Sequence, residues 1–172
     1  MYKGPGQAAL DTGAGKETGE PEGNRSLKQF ATERSAKDIL CKADCRYRIP
    51  TASQKKALLI GFAICGKALA GSAYDAVRLE HEIDLDDPEA IARDNAGIVL
   101  IEIKSTSQEA IGQDLKGYFF NITSAELLVA QSMKDQYRFL FLNLARGDWQ
   151  ELSINEVLSR SKGMYPAYHI RL

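Results

Sequence analysis

The stretch Ile98-Val-Leu-Ile-Glu-Ile-Lys-Ser-Thr106 sets a carboxylate and an amine two residues apart at the end of a β-branched apolar run. Residues two apart on a strand project to the same face, so Glu102 and Lys104 stand side by side, followed by the hydroxyls of Ser105, Thr106 and Ser107. A carboxylate beside an ammonium at a strand's exit can hold a divalent metal and position a nucleophilic water. On an exposed strand the same pair would be an ordinary surface ion pair. The apolar run that carries it argues for burial instead. A hard cation such as Mg²⁺ (or Mn²⁺) usually takes one or two carboxylates plus substrate phosphate oxygens, so a second acid is expected nearby.

Hairpin geometry nominates that acid. Tyr74 to Ile83 alternates imperfectly and Gly97 to Ile103 is the β-branched run, so both read as strands, joined as an antiparallel pair by the polar connection DLDDPEAIARDNAG. A turn centred near residue 89 makes cross-strand partners sum to about 178, which sets Asp75 opposite residue 103 and, within one or two residues, beside Glu102 or Lys104. Asp84, Asp86, Asp87, Glu89 and Asp94 sit toward the turn. Even Asp94 is roughly 26 Å along a strand from Glu102, so these acids read as solvated loop charge.

The elements that must position this group follow from period and caps. Ser26 caps a helix, LKQFATERSAKDILCKA; Thr51 or Ser53 caps a second, QKKALLIGFAICGKALAG, which is apolar on so many positions that most of it is expected to be buried and which Gly71 closes. Ser105 to Gly117 reads as a loop. Thr123-x-x-Glu126 is a capping box that opens another helix, and YRFLFLNLA follows as a central strand. The remainder, around Trp149, Leu152, Ile154, Val157 and Leu158, reads as a short strand or turn and a small terminal helix. The order helix, helix, strand, strand, helix, strand predicts an α/β or α+β layer architecture with a mixed sheet.

Asp75, 26 intervening residues, then Glu102-Ile103-Lys104 at the end of a β-branched strand, with a helix before and a helix plus strand after, resembles the PD-(D/E)xK nuclease superfamily, the restriction-endonuclease-like fold. The segment FFNITSAELLVAQSMKDQYRFLFLN is similar to the helix and strand of small restriction-like domains with an "IEVK" strand. The resemblance covers about residues 53–145 and departs from the family pattern in having Tyr74, rather than proline, before Asp75. It implies a mixed β-sheet flanked by helices and a metal-dependent phosphodiesterase core. Asp75 and Glu102 would be metal ligands, the Ile103 carbonyl a further ligand, and Lys104 the group that orients or activates water and stabilises developing negative charge. Many relatives add an acid from a preceding helix, for which Glu33 and Asp38 are the candidates. The implied function is Mg²⁺-dependent hydrolysis of nucleic acid, DNA before RNA; the alternative is a non-catalytic restriction-like module that binds DNA or protein.

Composition bears on the partner. The 172 residues are 44% hydrophobic and carry 22 basic against 23 acidic side chains, as an ordinary single domain does. That neutrality hides segregation: residues 25–70 hold ten basic and three acidic side chains, a net of +7, while residues 71–114 hold three and eleven, a net of −8. Arg46, Arg48, Lys55 and Lys56 surround the start of the second helix, whose N-terminus also favours anions, and Lys116 with Gln108 and Gln113 follows the motif. Lys55, Lys56, Lys116 and Gln113 are therefore the candidate phosphate contacts, which position a backbone without reading its sequence. Lys55 and Lys56 also fit a plain solvated helix face. Cys41, Cys45 and Cys65 are odd in number and unpaired in spacing, which fits a reducing compartment, with the thiols packed as small apolar groups. Residues 1–24, rich in Gly and Glu, read as a disordered arm before a single domain at 25–172. With no apolar run near the roughly 20 residues a membrane span requires, the expectation is a cytoplasmic protein without a membrane partner, dimeric if it cuts both strands of a duplex.

Overall fold

The architecture is taken from a computed structural model, which describes residues 35–165. The arm, the Ser26 cap, Glu33 and the C-terminal residues from 166 lie outside the described residues.

The β-branched run organises everything around it. It forms β3 (Ile98–Thr106), and its first six residues are buried. On one side β2 (Ala76–Leu79) pairs with it antiparallel, and beyond β2 lies the two-residue strand β1 (Tyr47–Arg48). On the other side β4 (Tyr137–Asn143) runs parallel to β3, and β5 (Asp148–Leu152) closes the sheet antiparallel to β4. The result is a five-stranded mixed sheet with helices, an α/β fold. Parallel strands need a crossover connection. Here the chain between β3 and β4 contains α4 (Ser124–Met133).

Alternation along β3 decides which residue meets which layer. Ile98 and Leu100, with Tyr137, Phe139 and Phe141 of β4, pack beneath α2 (Ala52–Ile64), α4 and α5 (Ile154–Arg160) through Phe62, Val129 and Val157. Val99, Ile101 and Ile103, with Leu140 and Leu142, pack on the opposite face against Ala36 and Leu40 of α1, the helical residues 35–43. Glu102 has the parity of Ile98 and Leu100. It is therefore driven under the α2/α4 layer, and only 8% of it remains exposed.

Several local expectations are corrected. The strand read as Tyr74 to Ile83 is only Ala76–Leu79, because Leu79 is opposite Ile98, where β3 begins, and the chain beyond has no partner strand. The polar connection contains α3 (Pro88–Arg93), whose start is set by Asp87 accepting from the Glu89 amide and by proline in the first turn. The second helix stops at Ile64 rather than Gly71, since Gly66 takes a left-handed φ of 71° and reverses the chain. It is buried on one face only, with Ile60 and Ile64 exposed. Cys45 and Cys65 are also exposed rather than packed. Among the described residues no helix is long and apolar enough to cross a membrane.

Gly61 lets α2 and α3 touch. A Cβ there would lie 2.7 Å from Ile91 Cβ and 2.9 Å from the Pro88 carbonyl oxygen, and backbone cannot yield as a flexible side-chain tip can. Gly61→Ala is expected to lower stability by about 1–3 kcal/mol, the overpacking cost exceeding the gain of about 1 kcal/mol in helix propensity. Urea denaturation checks this, and an unchanged or raised midpoint would contradict it.

Candidate functional site

The hairpin register is one residue off the expected one, and Asp75 lies just beyond its last pair. Ala76 is opposite Ile101, the last pair of the ladder, and the Asp75 amide donates to the Ile101 carbonyl at 2.9 Å. At this point β2 has ended, and the Asp75 side chain takes the place of the missing strand: its Oδ2 accepts from the Ile103 amide at 3.0 Å. Its Oδ1 meets Lys37 Nζ of α1 at 3.0 Å. Backbone groups two residues apart on a strand point the same way, so the Ile103 carbonyl, like that of Ile101, is directed to the side of Asp75.

Lys104 Nζ donates to Glu102 Oε1 at 2.8 Å and to Glu126 Oε2 of α4 at 2.9 Å. Glu126, read from the sequence only as a helix cap, does cap α4, accepting from the Thr123 amide at 3.2 Å, and is 5% exposed. Burial, and then the Asp75 charge, push the Glu102 carboxyl up to about 8, against the pull of Lys104. Burial opposes the charge on Lys104, but Glu102 and Glu126 outweigh it and raise the ammonium above its ordinary value. Tyr137, fully buried beneath this group, donates to the Ala73 carbonyl at 2.5 Å. Burial, helped by the charges of Glu102, Glu126 and Asp75, keeps its proton on.

The remaining predicted residues divide in two. Lys55 Nζ lies 4.9 Å from the Tyr74 ring centroid and donates to the Tyr74 carbonyl at 3.1 Å and the Gly71 carbonyl at 3.3 Å. It therefore fastens the segment that delivers Asp75. Lys56, Lys116 and Gln113 are exposed, and no hydrogen bond or ion pair joins them to the Asp75, Glu102 and Lys104 group among the described residues. The loop bearing Gln113 and Lys116 is nevertheless tied beside the exit of β3, because Tyr118 donates to the Ser105 carbonyl at 2.8 Å and Asn143 holds the Gln108 and Ile111 carbonyls at 2.9 and 2.8 Å. Of the arginines, Arg46 is paired with Asp44 at 2.7 Å and Arg48 binds the Cys45 carbonyl. Asp38 is exposed on α1, and its neighbour Lys37 is the residue that reaches Asp75.

Among the described residues no group of three or more His, Cys, Asp or Glu side chains is placed to hold a metal ion. The donor set does fit a hard cation that draws on few protein ligands: two adjacent carboxylates and a carbonyl directed toward them, all oxygen. Two ammonium groups already lie against those carboxylates, Lys37 on Asp75 and Lys104 on Glu102. No family model, curated protein or solved structure matches the chain.

Proposed function

We propose that the chain is a Mg²⁺- or Mn²⁺-dependent nuclease of the PD-(D/E)xK type with a restriction-endonuclease-like core, hydrolysing phosphodiester bonds of nucleic acid, DNA before RNA. The observation that carries the reading is Asp75 just beyond the end of β2, its Oδ2 accepting from the Ile103 amide next to Glu102, with Lys104 Nζ 2.8 Å from Glu102 Oε1 at the exit of a buried strand. Asp75, Glu102 and the Ile103 carbonyl would hold the cation. When bound, it would polarise a phosphate oxygen and lower the pKa of a water. Lys104 would orient that water and offset the charge that develops on the phosphate. Lys56, Lys116 and Gln113 would meet the backbone, with Lys55 anchoring the Asp75 segment, and a homodimer follows if both strands of a duplex are cut. Supercoiled plasmid incubated with Mg²⁺ tests this. Nicking or linearisation by the wild type, abolished in Glu102→Ala and in Lys104→Gln, is the expected result; undiminished cleavage by either variant would overturn it.

One observation favours a second reading. Each carboxylate is already neutralised by a lysine, Lys37 on Asp75 and Lys104 on Glu102, as in a core that keeps its polar cluster for structure. That reading is a restriction-like module that binds DNA or protein without cutting. It predicts no Mg²⁺ or Mn²⁺ site dependent on Asp75.

A further inference from the structure

Three helices among the described residues open on a capping box, and each serves as a control on the others. In α2 the third-position partner is Gln54, in α5 it is the exposed Glu156, and in α4 it is Glu126, which is buried. Capping requires only an oxygen facing the helix's first amides. It does not require a buried carboxylate, which costs free energy unless it is paired. The oxygen of Glu126 that accepts from Thr123 also takes Lys104 Nζ at 2.9 Å. Burial of this one cap is therefore explained by the lysine and not by the helix.

An ammonium has three N–H donors. Glu102 and Glu126 occupy two of those on Lys104, leaving one for a water or a phosphate oxygen. On the metal-dependent reading, on which this inference rests, Glu102 must give its oxygen to a divalent cation. With Glu102 as its only partner, Lys104 would then lose its counter-charge and be repelled by that cation. We infer that Glu126 is a positioning residue, anchoring the Lys104 ammonium at the exit of β3 while Glu102 is engaged by the cation.

Glu126→Gln in the full chain tests the inference, since Gln54 shows that glutamine serves in this kind of box. Thermal melting close to wild type is expected. The rate constant for plasmid cleavage should fall about 10- to 100-fold, with KM for plasmid unchanged, as expected when a partner of the working groups is removed. Calorimetric Mg²⁺ affinity should stay within about threefold, because Glu126 is not a ligand. A readout independent of turnover is the ¹⁵N signal of the Lys104 ammonium: in wild type it should persist when Mg²⁺ is added, and in Glu126→Gln it should be lost. Wild-type cleavage by the variant, persistence of its ammonium signal with Mg²⁺, or a loss of cleavage restored by raising Mg²⁺ would each overturn the inference. A wild-type chain that neither binds Mg²⁺ nor cuts nucleic acid would overturn the nuclease reading itself and the inference with it. An active wild type beside an equally active variant would overturn the inference alone.

Discussion

Without metal, Glu102→Gln is expected to be more stable than the wild type at pH 8 and to lose plasmid cleavage. The Glu102 carboxyl is pushed up to about 8 from an ordinary 4.5, first by burial and then by Asp75. A carboxyl that binds its proton more tightly in the folded chain contributes fully below the unfolded value. That contribution is lost as pH rises through the folded one, at no more than about 1.4 kcal/mol per pH unit. Glutamine removes this dependence while Lys104 keeps Glu126 as a partner. The advantage of the variant should therefore grow between pH 5 and pH 8, to about 1–3 kcal/mol once the lost Lys104 contact is offset. Urea denaturation at three pH values with a chelator present measures it, and parallel pH profiles would contradict it. Saturating Mg²⁺ should reverse the order, because a ligand that binds only the folded wild type stabilises it by mass action.

Lys104→Gln should lower cleavage by about 100- to 10,000-fold while Mg²⁺ affinity holds or rises. On the nuclease reading the ammonium would be a like charge beside the cation, so its removal would relieve repulsion in the bound state even as it removed the group that would orient water. Glutamine retains an N–H donor for Glu126, which would otherwise be a buried, unpaired carboxylate. Single-turnover cleavage at saturating Mg²⁺ separates the two effects. A variant that cleaves like wild type, or one whose defect is cured by more Mg²⁺, would remove Lys104 from the chemistry.

Much of this group was legible in the chain because its signals are local. Glu102 and Lys104 share a strand face by period alone, and Thr123-x-x-Glu126 declares a helix start wherever it occurs. Turn symmetry puts the hairpin register within one residue of the observed one. The error arose because the connection contains α3 and a 3₁₀ turn (Asn95–Gly97), so the two strands are not related by a simple turn centred at residue 89. Lys37 and Glu126 were not legible as site residues, since nothing in local pattern says which helix lies over which end of a strand. Glu126 in particular had a sufficient local role as a cap, and only its burial distinguishes it from Glu156. The two-residue strand β1 carries no periodicity to detect. The short α3, by contrast, was marked by Asp87 and Pro88, a cap followed by a first-turn proline.

The central claim is that Asp75 and Glu102 together form a cation site, and Mg²⁺ titration calorimetry on the wild type, Asp75→Asn and Glu102→Gln tests it most directly. Asparagine can still accept from the Ile103 amide, so the local fold is kept while the charge is removed. One saturable site in the wild type, weakened at least about tenfold in each variant, is the predicted result. No binding heat in the wild type, or undiminished binding by Asp75→Asn, would contradict it.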